Sequence, residues 1–445
     1  MGCGASVEDS SVSASPTPNH SNDRHNRLSV VSLGLPGQDE DAMSASSVPS
    51  MEPPPTMPST GFGGEEEKIC NTELRIKWIV RKLTEHFPIH EEPQWIAERL
   101  NRKTSTEIES STVIRITLAW ESEDPRLPRS VVLKIPLAKE AREDEKGRFY
   151  YTLFKRECNA FDWLQHVKDF STPIIYHIKK HGNEDGGGCI IMEDLGERAQ
   201  QQDEKNGLGI ENVGDLLFQL ARLHAQSWRD KQWTTMIADL PVSFFSNEAG
   251  SFADVLEYFT TKGADPMRLK KIEKFFAASY LENTVNESCD ELKVAKVLVH
   301  GEPFSSNIFV DIVDTDHHPI AGIVDWTSCH AGCFGEDLAK AICWNLNPRE
   351  RATQTSQLLQ AYHYQLVLQS GNASITSEQV RAAYEKFVPV ATVSFVHKVM
   401  VLRGKSEPDA LIERANSLIN QVYNTVRINE ELIDDDKMNN NNWTS

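Results

Sequence analysis

The chain is short of positive charge. Against 65 Asp and Glu it sets 46 Lys and Arg, a formal net charge of −19 over 445 residues. Non-specific nucleic-acid binding relies on a basic footprint, so no nucleic-acid partner is expected. Long apolar runs are missing too. No window approaches the roughly 20 apolar residues of a membrane span, and no signal-peptide core follows Met1. Metal-binding cysteine pairs are also missing. The one cluster, Cys329-x3-Cys333 with His330, has no second ligand pair at a zinc-like spacing. Buried free thiols in a reducing compartment are the expectation. No internal repeat is present. What remains is a composition of 39% hydrophobic and 25% charged residues, that of a globular protein with polar appendages. The length suffices for a two-lobed molecule with tails.

The most informative stretch runs from Val297 to Trp326. Three apolar runs (297–299, 308–310, 321–324) alternate with polar residues at their ends, which predicts short buried strands presenting loops to one site. The polar residues are His300, Glu302, Asn307 and Asp325. These are the types phosphoryl transfer needs: an acid to orient an attacking hydroxyl, and an amide plus a carboxylate to hold Mg²⁺ beside phosphates. Upstream, Lys134 interrupts the apolar strand Val131–Pro136, so it either faces water on an edge or meets a carboxylate. Glu157 lies in the predicted helix Phe149–Val167. Cys189–Glu193 predicts an apolar strand ending in Glu193, Asp194 and Leu195. Val213–Trp228 predicts an amphipathic helix containing Leu223-His224-Ala225. Helical patterns are also read over Leu74–Val80 and Pro93–Leu100, and near 351–369, 377–400 and 408–430.

His300-Gly-Glu-x4-Asn307 followed by Ile-Val-Asp325-Trp326 resembles the catalytic loop and metal-binding Asp of the CHK kinase-like family, which groups choline-kinase-like and ecdysteroid-kinase-like phosphotransferases, relatives of aminoglycoside phosphotransferases. Lys134, Glu157, Glu193–Leu195, Leu223–Ala225 and Asp337-Leu-Ala339 follow in the family's order over roughly 70–430. The resemblance implies an α+β, two-lobed protein-kinase-like fold with a small β-rich N-lobe and a larger, mostly helical C-lobe. It implies ATP and Mg²⁺ as cofactors and a small hydroxylated substrate. Asn307 and Asp325 would hold the metal. Lys134, paired with Glu157, would steady the α- and β-phosphates. Ser110 and Ser111 would donate from the phosphate loop, and Glu193 and Leu195 would meet the adenine. Glu302 would orient the acceptor hydroxyl, and His300 would brace the loop. His224 reads as structural. Asp337 is expected to cap its helix and brace the catalytic loop, with Glu336 exposed.

Two departures bear on activity. The family's catalytic Asp stands here as Glu302, and the expected phosphate loop, Thr104–Thr112, contains no glycine but carries Glu107 and Glu109. A catalytically impaired pseudokinase is therefore the alternative reading. A protein kinase fits least, since the His-Arg-Asp and Asp-Phe-Gly motifs are both absent.

Residues 1–68, rich in Ser, Pro, Asn and Asp, predict a disordered segment. Met-Gly-Cys-Gly-Ala-Ser matches the myristoylation pattern with Gly2 as acceptor, and Cys3 would supply the second acyl chain that stable anchoring requires. The expectation is a cytoplasmic protein tethered to the cytoplasmic face of a membrane. An N-lobe with hinge over 69–196, a C-lobe over 197–430 and a disordered tail over 431–445 complete the expected organisation.

Overall fold

The structure is a computed structural model. It describes residues 59–61, 68–70, 72–87, 91–100, 111–136, 144–180, 188–237, 239–314, 319–402 and 409–441, with backbone alone for 59–61 and 432–441. Gly2, Cys3 and Ser110 lie outside these residues.

The smaller lobe is one six-stranded antiparallel sheet with two helices. Its strands are β1 (Ser59–Gly61), β2 (Gln94–Arg99), β3 (Ser111–Ala119), β4 (Ser130–Pro136), β5 (Ile175–Lys179) and β6 (Cys189–Glu193), in the order β1-β2-β3-β4-β6-β5. Ile114, Ile116 and Leu118 alternate on β3 and are buried, as period-two patterning requires. They pack in one core with Ile76, Ile79 and Leu83 of α1 (Ile76–Thr84). The long helix α2 (Glu145–Leu164) starts where Asp144 caps the backbone of Gly147.

Three expectations are corrected here. Pro93–Leu100, read as helical, contains strand β2. Trp95 and Ala97 are buried between outward Gln94, Ile96 and Glu98. The apolar Ile96 is 52% exposed and masked the alternation. Ser59–Gly61, placed in a disordered segment, pairs with β2 through its backbone, which needs no apolar pattern. The expected tail from 431 is helical as far as Asn441, because a helix propagates cheaply once its earlier turns are packed.

The larger lobe begins with β7 (Ala199–Gln201) and α3 (Ile210–Arg229), followed by α4 (Trp233–Met236), α5 (Val242–Ala249), α6 (Phe252–Thr261), α7 (Pro266–Lys271) and α8 (Ala278–Leu292). Short strands β8 (Val297–Val299), β9 (Ile308–Asp311), β10 (Ile320–Ile323) and β11 (His330–Gly332) follow, pairing as β10-β9-β7 and β11-β8. Helices α9 (Phe334–Asn345), α10 (Pro348–Ser370), α11 (Ser377–Leu402) and α12 (Asp409–Asn441) close the chain. Every residue of α9 is buried, so this helix is the axis of the lobe. No helix among the described residues is long and apolar enough to cross a membrane.

Candidate active site

Residues of both lobes line one cleft of about 1420 Å³. Lys134 reaches it from β4. Its Nζ lies 2.5 Å from Glu157 Oε2 of α2 and 3.0 Å from Asp325 Oδ1 of the larger lobe. The sequence left this lysine between open water and a carboxylate partner; it has two carboxylates, and its side chain is 5% exposed. Asp325 adopts φ +67°, a left-handed conformation rare for a residue other than glycine, and its Oδ1 also accepts from Thr327 Oγ1 at 3.0 Å. Glu157 ties in the next residue as well, since the Trp326 amide donates to its Oε1 at 3.2 Å.

The turn from β8 to β9 carries His300, Glu302 and Asn307. The Asp337 carboxylate, in the first turn of α9, accepts from the amides of His300 and Gly301 at 2.8 and 2.9 Å. His224 Nε2 meets the same carboxylate at 3.1 Å, while its Nδ1 meets Tyr362 Oη at 2.7 Å. Burial works against the Asp337 charge, but His224, His300 and the Gly301 amide outweigh it and hold its pKa below the usual range. Asp337 thus braces the loop. It does not cap α9, which starts at Phe334 behind Cys333.

His300 is fully buried, and burial pushes its pKa down, so the neutral ring is favoured. Its Nδ1 accepts from the Glu302 amide at 3.1 Å, which leaves Nε2 to donate to Val324 O at 3.2 Å. The ring stands edge-on to Trp326 at 4.5 Å between centroids. Gly301 has φ +87°, and a Cβ there would lie 2.6 Å from Ser328 O, so only glycine fits.

Beneath the loop, Glu336 is buried, not exposed as the sequence suggested. It joins His330 Nε2 at 3.1 Å and Lys340 Nζ at 2.8 Å. Burial alone would raise its pKa, but Lys340 and His330 reverse this and bring it to about 2. Lys340 also donates to Gly301 O at 2.7 Å. Cys329 and Cys333 are buried free thiols.

Residues 107–373 match the ecdysteroid kinase-like family. The chain belongs to that family. No curated protein matches it. Among solved structures, a choline kinase from Cryptosporidium parvum Iowa II is 14% identical, with TM-score 0.47, covering 78% of this chain and 93% of its own. A Plasmodium vivax ethanolamine kinase is 12% identical, with TM-score 0.40, covering 78% and 89%. The GDP complex of wild-type aminoglycoside 2'-phosphotransferase-IIIa is 12% identical, with TM-score 0.42, covering 79% and 99%.

In this ecdysteroid kinase-like chain the residues singled out from sequence largely converge. Lys134, Glu157, Glu193, Leu195, Glu302, Asn307 and Asp325 all line the main cleft. His300 sits behind it. Ser111 does not join them: it lines a second cavity of about 980 Å³. Glu302, Asp325 and Lys398 line both cavities and so mark their junction. Sequence reasoning missed Lys398 and Lys340. Lys398 lies on α11, with its ammonium 3.7 Å from Glu302 Oε2. It carries no motif of its own; only an interrupted apolar run, Phe395-Val396-His397-Lys398-Val399-Met400, hinted at it.

Proposed function

We propose that the chain is an ATP-dependent phosphotransferase that moves the γ-phosphate to a hydroxyl of a small molecule. The observation that carries this reading is the convergence of Lys134, Glu157 and Asp325, from three separate elements, into one buried charge cluster facing Asn307 and Glu302. A lone lysine on an apolar strand would not need two carboxylates. A phosphate-binding lysine that must be held in place does.

The roles follow from chemistry. The main cleft takes the nucleotide, with Lys134 against its α- and β-phosphates and the Glu193–Leu195 backbone against the base. Asn307 spends its Nδ2 on Glu302 O, at 3.0 Å, which leaves its amide oxygen to face a cation. That oxygen and the Asp325 carboxylate are hard donors that fit Mg²⁺. Among the described residues no three His, Cys, Asp or Glu side chains gather as a metal cluster, so phosphate oxygens and water would complete the shell. Mg²⁺ bound there supplies neutralisation of the polyphosphate charge. Glu302 orients the acceptor hydroxyl and takes its proton as the hydroxyl oxygen bonds to the γ-phosphorus. The bond from that phosphorus to the β,γ-bridging oxygen breaks, and ADP leaves with the electron pair. The acceptor lies in the second cavity, among Phe244, Trp344 and His397. An ammonium already stands over the Phe304 and Trp344 rings, that of Lys398, at 5.0 and 5.8 Å. This favours a hydroxyl compound other than a quaternary ammonium as acceptor.

The test is unfolding temperature with and without ATP and Mg²⁺. Nucleotide at about 100 times its Kd stabilises by roughly 2.7 kcal/mol. The magnesium-dependent rise should vanish in Asp325→Ala. No shift at millimolar nucleotide would sink the reading in favour of a pseudokinase that binds partners. For that reading the Met-Gly-Cys-Gly-Ala-Ser start supplies a membrane tether through Gly2 and Cys3. An unchanged membrane fraction for Gly2→Ala would exclude the tether.

A further inference from the structure

The backbone around Glu302 is held residue by residue. The amides of His300 and Gly301 are taken by Asp337, and Gly301 O by Lys340. The Glu302 amide is taken by His300 Nδ1, and its carbonyl by Asn307 Nδ2. Pro303 O accepts from Asn345 Nδ2 at 2.9 Å. A loop tied at every position has no freedom to slide and absorb a longer side chain. The methylene by which Glu exceeds Asp moves a carboxylate by about 1.5 Å. A misplacement of about 1 Å at a reacting group costs on the order of 10²-fold in rate. Any compensation must therefore act on the side chain itself.

Two groups do act on it. Ser328 Oγ donates to Glu302 Oε1 at 3.2 Å, and Lys398 Nζ faces Glu302 Oε2 at 3.7 Å. Lys398 is held in turn by the Phe304 and Trp344 rings beneath its ammonium. At 3.7 Å the contact is an ion pair without a hydrogen bond, so Oε2 is oriented yet still able to accept from a hydroxyl. Glu302 and Lys398 both line the junction of the two cavities, where the phosphoryl group has to pass.

We propose that Lys398 is a positioning residue for Glu302: with Ser328 it fixes the longer carboxylate at the junction of the two cavities and thereby replaces the shorter aspartate geometry. The proposal rests on the phosphotransferase reading. The ammonium is suited to the task. Burial disfavours its charge, but Glu302, Glu204, Glu248 and Asp325 outweigh this and raise its pKa.

The experiment uses the full chain, with water as acceptor. ADP release from Mg·ATP is measured for the wild type, K398M, K398R, E302D, E302Q and the double variant E302D/K398M. Nucleotide binding is followed by calorimetry and folding by unfolding temperature. Methionine keeps most of the apolar stem and removes the ammonium, with its ion pair and its contact over the two rings. K398M should lose roughly 10- to 100-fold in kcat with KM for ATP within about 2-fold. K398R should regain most of that loss. E302D should also be slow, because its carboxylate no longer reaches the pair. In the K398M background E302D should cost less than about 3-fold more, since neighbouring groups acting as a unit are not additive. Wild-type kcat in K398M, or losses that simply multiply in the double variant, overturn the proposal while leaving the kinase reading intact. A wild type that binds Mg·ATP but turns it over no faster than E302Q also overturns it. A wild type that binds no nucleotide removes the kinase reading itself, and the proposal with it.

Discussion

Two lysines meet carboxylates in the lining of one cleft. On the side of the smaller lobe, Lys134 sits 2.5 Å from Glu157, with side chains 5% and 1% exposed, and its second contact reaches across to Asp325. At the junction of the two cavities, Lys398 stands 3.7 Å from Glu302, with side chains 21% and 27% exposed. In the first cluster the Lys134 and Glu157 side chains are all but excluded from solvent, and the cluster joins the lobes; in the proposed reading it also faces the nucleotide. The second is looser, partly exposed and spaced beyond hydrogen-bond distance, which suits the role proposed for Glu302, a carboxylate that must still accept from a hydroxyl. One chemistry serves two purposes, and burial decides which.

The largest effect should come from breaking the locked cluster. Lys134→Met removes the ammonium 2.5 Å from Glu157, whose side chain is 1% exposed. Removing one partner of a buried ion pair costs about 3–5 kcal/mol. Chemical denaturation should show a loss of that size together with loss of nucleotide-induced stabilisation. A variant of near wild-type stability would mean that the Lys134 cluster is not locked.

The floor beneath both clusters comes next. Glu336 has its pKa lowered from 4.5 to about 2 by Lys340 and His330, against the opposing effect of burial. A depressed carboxylate contributes stability that is complete above pH 4.5 and is lost as pH falls toward about 2. The shift corresponds to about 3 kcal/mol. Glu336→Gln should lose about that much at neutral pH and show a flatter decline in unfolding free energy below pH 4.5. A wild-type slope in the variant would place the acid sensitivity elsewhere, with Asp337 the next group to test.

Gly301→Ala acts on the loop itself. At φ +87° with Ser328 O in the way, it should cost roughly 1–3 kcal/mol and displace Glu302. Turnover should fall further than stability, because the loop moves before the lobe unfolds. Equal losses of both would show that Gly301 serves only the fold.

Much of this was legible beforehand, for identifiable reasons. The polar ends of β8 and β9 and the Asp-Trp after β10 stood at fixed spacings around apolar runs, and the β8–β9 turn and the segment after β10 bring them to one cleft. Lys134 was conspicuous because an ammonium inside an apolar strand needs an explanation. The misreadings have causes as definite. Ile96 faces outward and concealed a period-two strand. Glu336 looked exposed because its partners, His330 and Lys340, neutralise it only in the folded chain. Lys398 was invisible because its significance depends on α11 lying beside a loop about a hundred residues earlier in the sequence, which no local pattern encodes.

The smallest stability change should be at Lys398, and this makes it the sharpest test of the comparison. Lys398→Met keeps most of the apolar stem, and Glu302, at 27% exposure, can be solvated by water once the ammonium is gone. A partly exposed pair at 3.7 Å without a hydrogen bond contributes little more than a surface pair, so unfolding free energy should fall by no more than about 1 kcal/mol. If the two lysines truly divide the work, stability and nucleotide binding fall together at Lys134, whereas at Lys398 turnover falls while both persist. A loss at Lys398 as large as that at Lys134 would show a second locked cluster, and Glu302 would then be a structural carboxylate held away from any acceptor.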